Sequence, residues 1–140
     1  MSIIHHDRVL TVVRMTLALY ELRVKGTTNF WINKIFCMKT AIFHVILGIV
    51  SQICEISTEE IVSKVKRADV VEARTICIFQ CVRYGFTYAS IAKFFGRTRT
   101  YFIGDAMYNY KIMSEKSTSF RYLCAEVSKK IKETLPEESR

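Results

Sequence analysis

The sequence predicts an all-helical protein. Its 140 residues include only one proline and five glycines. An all-β sandwich needs a turn roughly every 8–12 residues, and those turns are rich in breaker residues. Half of the residues are apolar, which is more than a disordered chain contains and enough to build a core. The length suits one domain, with or without an added helical segment.

Capping residues and apolar periodicity place the helices along the chain. Ser57 and Glu60 have the spacing of a capping box. Gly85 and Gly96 are expected to end helices, because glycine accepts the left-handed conformation found there. Further N-caps are expected at Asp7, Asp69, Thr87, Thr98 or Thr100, and Ser117 or Ser119. The predicted helices cover about residues 8–24, 30–38, 40–54, 57–66, 70–85, 88–95, 98–113 and 117–135.

The chain is strongly basic. It has 21 lysines and arginines against 13 acidic residues, a net charge of +8. Such an excess predicts an anionic partner, either nucleic acid or a membrane surface. The most apolar run, residues 41–50, is short of the roughly 20 residues that cross a bilayer. We therefore expect no membrane partner, and a cytoplasmic protein. The densest basic cluster consists of Lys64, Lys66, Arg67, Arg74, Arg83, Lys93, Arg97 and Arg99.

Nothing in the sequence predicts catalysis, a metal or a cofactor. The five cysteines form no Cys-x-x-Cys pair, so we expect reduced core residues. No nucleophile and base stand in a recognisable pattern, and we expect a protein that is not an enzyme. The phosphate-binding pattern Gly-x-x-x-x-Gly-Lys-Ser/Thr is missing from the sequence, so we expect no bound nucleotide.

Residues 87–110 have the pattern of a helix-turn-helix. A short helix of small and apolar residues is followed by a tight turn at Gly96. The next helix begins with hydrogen-bonding and cationic side chains, and its apolar residues come later. A recognition helix needs this order, since its first turn reaches base edges and its later turns anchor on the core. The pattern alone also fits a solvated helical corner that binds no DNA.

The sequence resembles the C-terminal DNA-binding domain of DnaA, the bacterial replication initiator. The resemblance covers about residues 43–135, and the tail from Thr118 to Arg121 is similar to the end of longer family members. It implies an all-helical, Trp-repressor-like fold, with a recognition helix in the major groove and a basic loop in the minor groove. The matching stretches are Ser57–Ile61 (STEEI), Lys64–Arg67 (KVKR), Asp69–Arg74 (DVVEAR) and Ser90–Arg97 (SIAKFFGR).

The resemblance also implies which positions contact double-stranded DNA. They fall into four groups by their place in the family pattern. These are Lys66 and Arg67 in the minor-groove loop, Tyr88 and Ala89 at thymine methyl groups, Arg74 and Arg97 near phosphates or in the scaffold, and Thr98, Arg99, Thr100 and Tyr101 in the base-reading turn.

The base-reading turn departs from the family. Thr98 and Arg99 replace the family's Asp and His, and Tyr101 replaces its second Thr. Gly104 replaces a later His, and a glycine inside a helix costs about 1 kcal/mol relative to alanine. Asp105 adds a negative charge to the helix that should face DNA. We expect either a changed target sequence or a loss of base-specific binding.

The sequence is compatible with two functions. The first is a stand-alone, DnaA-like DNA-binding protein that regulates replication or transcription without ATPase activity. The alternative is a protein-interaction or assembly module that keeps the fold but does not bind DNA specifically. We expect residues 1–40 to be an N-terminal helical extension, 41–136 the DnaA-like domain and 137–140 a tail. The N-terminal helices are the candidate interface for a homodimer or a protein partner.

Overall fold

The computed structural model describes the backbone of residues 30–135 and the side chains of residues 38–135. Within this range all regular secondary structure is helical, which confirms the predicted fold class. The predicted helix over residues 8–24 and the predicted tail lie outside the described residues. The helices are α1 (Phe30–Cys54), α2 (Thr58–Val62), α3 (Ala68–Arg83), α4 (Tyr88–Phe94), α5 (Tyr101–Lys116) and α6 (Thr118–Thr134).

α1 is one continuous helix of 25 residues, whereas the sequence predicts two shorter helices. No glycine or proline lies between Met38 and Thr40, so Thr40 continues the helix instead of capping a new one. Neither α1 nor any other described helix is long and apolar enough to span a membrane. A boundary between two compact units falls inside α1, after Val45. Every candidate DNA-contacting residue belongs to the second unit.

Three of the expected N-cap residues form a side-chain capping hydrogen bond. The hydroxyl oxygens of Ser57, Thr87 and Ser117 each accept a hydrogen bond from the backbone N–H three residues later. Each bond satisfies one of the N–H groups that have no partner inside the helix. Asp69 is not the cap of α3, which begins at Ala68. The Asp69 carboxylate instead accepts a bond from the next backbone N–H, at 2.8 Å.

α3 and α4 both end in a Schellman motif. At the end of α4, the N–H of Gly96 donates to the Lys93 carbonyl at 3.0 Å, and the N–H of Arg97 donates to the Ala92 carbonyl at 2.8 Å. The same pair of bonds ends α3 at Gly85. Both glycines have a positive φ, as this motif requires. The predicted helix ends at the two glycines are therefore confirmed.

α3 is the central helix of the second unit. It contacts α2, α4, α5 and α6. Ile91 of α4, Ile103 of α5 and Phe120 of α6 are fully buried and contribute to the core around it. Several buried residues of α3 recur at the three- and four-residue spacing of one helix face, and Thr75, Ile78 and Gln80 are buried as well, as expected for a helix with four neighbours. The residues of that face include Val70, Ala73, Ile76, Cys77 and Cys81.

The described cysteines are free thiols. Burial, and then the neighbouring Cys124, raises the pKa of Cys54 to about 11. Burial also raises the pKa of Cys124 to about 11. Both thiols are therefore protonated near neutral pH, in the form that is a poor nucleophile and a poor metal ligand. No group of three or more potential metal ligands occurs among the described residues.

Two glycine substitutions should change stability in opposite directions. Gly104→Ala should raise the free energy of unfolding by up to about 1 kcal/mol, because a Cβ at this helical position meets no atom within 4 Å. Gly96→Ala should lower it by more than about 1 kcal/mol, because φ is +67° there. Urea denaturation followed by circular dichroism measures both. A destabilised Gly104→Ala variant would contradict the open helical environment of residue 104.

Candidate nucleic-acid interface

α4, the turn at Gly96 and α5 form a helix-turn-helix, as the sequence predicts. The turn is held by its two Schellman bonds and by Phe95, which is buried just before it. The Phe95 ring lies edge-on to the ring of Phe102 in α5, with 6.0 Å between centroids. This aromatic contact joins the two helices directly across the turn. The angle between α4 and α5 is therefore set by packing as well as by the backbone.

The side chains that were expected in the first turn of the recognition helix lie mostly before it. α5 begins at Tyr101, with Thr100 as its N-cap. Of the two predicted N-caps, Thr98 and Thr100, the second is the one observed, so Thr98 and Arg99 belong to the connection between the helices. All four side chains are exposed. They surround the N-terminus of α5, where free N–H groups and the helix dipole attract anions.

A short basic loop, residues 63–67, joins α2 to α3. The sequence predicts that α2 continues to residue 66, but it stops before the loop. Ser63 explains this, because its Oγ donates to the Glu60 carbonyl at 2.6 Å and accepts from the N–H two residues later at 3.2 Å. Such local bonds compete with the next helical turn. Lys64 and Lys66 are exposed, and neither forms an ion pair with any acid between residues 38 and 135.

Arg67, the other predicted minor-groove residue, is held by two acids. Its Nη2 lies 2.7 Å from Glu60 Oε2, and its Nε lies 2.6 Å from Asp69 Oδ1. The hydrogen bond to Asp69, followed by the charges of the two acids, raises the pKa of Arg67. The same hydrogen bond lowers the pKa of Asp69. The carboxylates balance the charge of Arg67, which leaves Lys64 and Lys66 as the uncompensated cations of the basic loop.

Arg74 of α3 binds three backbone carbonyl groups. Its Nε donates to Ile61 at 2.8 Å, and its Nη2 donates to Glu60 at 3.2 Å and to Val65 at 2.9 Å. Two of these carbonyls belong to the end of α2, where helical N–H partners run out. The Glu60 carbonyl also accepts from Ser63, so the bond from Arg74 matters most for Ile61. The third carbonyl belongs to the basic loop. These bonds favour the scaffold role among the two that the family resemblance implies for Arg74.

Arg97 links the helix-turn-helix to the basic loop. Its Nη2 donates to the Ser63 carbonyl at 3.4 Å, and its Cζ lies 4.5 Å from the centroid of the Phe102 ring. Its Nε is buried and has no hydrogen-bond partner among the described residues. Burial, and then the nearby charge of Arg97, lowers the pKa of Arg74. Two neighbouring guanidinium groups therefore lie between the basic loop and the turn at Gly96. No described acid forms an ion pair with either of them.

Two contacts at this surface have no signal in the sequence. Arg99 Nη1 donates to Tyr101 Oη at 2.9 Å, although residues two apart do not face each other on a helix. Arg97 reaches Ser63 from 34 residues away, a separation that no periodicity encodes.

The sequence also predicts that Tyr88 contacts DNA. It is the first residue of α4 and is 42% exposed.

Removing Arg74 should destabilise the protein more than removing Arg67. Arg74→Ala should lower the free energy of unfolding by about 2 kcal/mol, because it removes the donor to the partly buried Ile61 carbonyl and two further bonds to backbone carbonyls. Arg67→Ala is the matched control, and should cost at most about 1 kcal/mol because its ion pairs are exposed. Urea denaturation measures the difference. Equal losses in the two variants would show that Arg74 does not hold the loop.

Residues 43–104 match the family model described as the bacterial DnaA protein helix-turn-helix. No curated protein and no solved structure matches the chain significantly. The matched range contains α2, the basic loop, α3, α4, the glycine turn and the first four residues of α5. It therefore contains each of the predicted DNA-contacting residues. Residues 43–104 of this chain are therefore similar to the helix-turn-helix domain of the bacterial DnaA protein.

Proposed function

We propose that the chain binds double-stranded DNA with the basic loop in the minor groove and the N-terminus of α5 in the major groove. Helix-turn-helix domains of the DnaA family bind double-stranded DNA. The observation that carries the proposal is the bond from Arg97 to Ser63. It ties the turn before the recognition helix to the basic loop. This bond supports placing the two basic segments on one surface, as simultaneous contact with adjacent grooves requires.

The charges of this surface support phosphate binding. Lys64, Lys66 and Arg99 are exposed and form no ion pair with any acid between residues 38 and 135. Arg97 makes one long hydrogen bond to a backbone carbonyl, whereas Arg74 makes three, so Arg97 is better suited than Arg74 to bind a phosphate. Cations of this kind release counterions from DNA, and the affinity they supply falls steeply with salt.

The proposed biological role follows from DNA binding alone. We propose a regulator of replication or transcription, acting in the cytoplasm and binding DNA without a nucleotide. No ATPase step is needed for a protein that acts by occupying a site. A homodimer, or a protein partner bound through the N-terminal helices, stays a prediction, because residues 1–29 lie outside the described range.

Selection of bound duplexes from a random pool, at about 150 mM salt, tests the proposal directly. Fluorescence anisotropy with the enriched duplex then gives the dissociation constant. Enrichment of one sequence family supports base-specific binding, and binding without enrichment supports phosphate contacts alone. A folded protein that neither enriches nor binds any duplex would reject DNA binding. The protein-interaction alternative would then remain.

Lys66→Ala should weaken binding to every duplex alike. The loss of one phosphate contact should reduce the slope of log affinity against log salt by about 1. Lys129→Ala is the matched control, since Lys129 is an exposed lysine on α6 and outside the proposed surface. It should leave the slope nearly unchanged. Equal effects of the two substitutions would mean that net charge, and not this surface, binds the DNA.

Arg99→Ala should act on one base pair. It should cost about 1–3 kcal/mol with the selected duplex and relax the preference at one position, because an arginine discriminates guanine through a bidentate contact. Arg83→Ala, at an exposed arginine in the last turn of α3, is the control for charge. Anisotropy titrations on the selected duplex and its single-base variants measure both. A uniform loss across all these duplexes would assign Arg99 to phosphate contact.

A further inference from the structure

Arg99 and Tyr101 form a pair at the tip of the proposed interface. Arg99 Nη1 donates to Tyr101 Oη at 2.9 Å, and Arg99 Cζ lies 5.9 Å from the centroid of the tyrosine ring. Arg99 lies in the connection before α5, and Tyr101 is the first residue of that helix. Tyr101 is 64% exposed. The pair is therefore outside the core, and folding does not depend on burying it.

The local backbone creates this contact. In a helix, side chains two residues apart point in different directions. Here Arg99 precedes the helix and Thr100 is the N-cap, with φ of −105° and ψ of −9°. Because Arg99 precedes the helix, the side-chain directions of a regular helix do not apply to it, and its guanidinium lies beside the tyrosine hydroxyl. Gly96 and Phe95 fix the position of the connection from the other side, through the Schellman bonds and the buried ring.

The pair leaves the arginine able to read a base. A guanidinium has five N–H donors, and the hydroxyl of Tyr101 uses one of them. Two parallel donors are enough for the bidentate contact with O6 and N7 of guanine. A free arginine loses much rotamer freedom when it is immobilised, and a side chain already held in place loses less.

We propose that Tyr101 is a positioning residue for Arg99, holding its guanidinium in the orientation that reads guanine in the major groove. The inference rests on the proposed function and adds a specificity determinant to it. It assigns base discrimination to a two-residue unit, with Arg99 contacting the base and Tyr101 orienting it. Removing the tyrosine hydroxyl should therefore reduce discrimination and leave binding to unrelated duplexes unchanged.

A double-mutant cycle between Arg99→Ala and Tyr101→Phe tests this. The selected duplex, its three variants at the guanine position and a random duplex are titrated by anisotropy. Tyr101→Phe keeps the ring and removes the hydrogen bond, so discrimination for guanine should fall by roughly 3- to 10-fold. Affinity for the random duplex should stay within about two-fold of the parent. In the Arg99→Ala background, Tyr101→Phe should have no further effect on discrimination.

Tyr108→Phe is the matched control, since Tyr108 is on the same helix and 65% exposed. It should change neither discrimination nor affinity. Thermal unfolding of each variant checks that the fold is intact. Discrimination that is unchanged in Tyr101→Phe, or that falls equally in both backgrounds, overturns the inference while duplex binding stands. If the parent protein binds no duplex, the proposed function fails, and the inference fails with it.

Discussion

The course of the basic loop depends on the guanidinium of Arg74. α2 has only five residues, too few for a helix to be stable alone. Its last carbonyl groups receive donors from Arg74, which projects from the central helix α3. α3 also contacts α4 and α5, so it positions the helix-turn-helix as well. One helix thus fixes both segments of the proposed interface relative to the same core.

The cations of the basic loop and Arg74 are in three different chemical situations. Arg67 is balanced by two carboxylates, and Arg74 is occupied by backbone carbonyls. Lys64 and Lys66 are exposed without an ion pair in the described part of the chain. Only the last group can release DNA counterions without first giving up a protein contact. Counting basic residues in the sequence would overstate the charge that is free to act on a phosphate backbone.

Features of the fold that depend on neighbouring residues could be predicted from the sequence. The caps at Ser57, Thr87 and Ser117 and the turn at Gly96 are of this kind, because each depends on residues within a few positions. The continuity of α1 could not, because capping residues allow a helix start without requiring one. For α5 the sequence allows a cap at Thr98 or at Thr100, and it does not choose between them.

The sequence predicts the candidate interface as a set of residues but not as an arrangement. The order of the motifs indicates which segments are expected to face DNA. It does not distinguish Arg67, whose charge is balanced, from Lys66, whose charge is not. Nor does it show that Arg97 reaches Ser63, since contacts between residues 34 apart arise only from the packing of whole helices. The different roles of the basic residues therefore depend on contacts that the order of the motifs does not encode.

The loop is held through its main chain, and this has a consequence for its evolution. Arg74 and Arg97 bind carbonyl oxygens of Val65 and Ser63, and every amino acid carries such an oxygen. Exchanging the side chains at positions 64, 65 and 66 removes none of these bonds. The side chains that are proposed to face the groove can therefore differ between relatives, or be changed by design to bind another target. The two anchoring arginines would keep the loop in the same place.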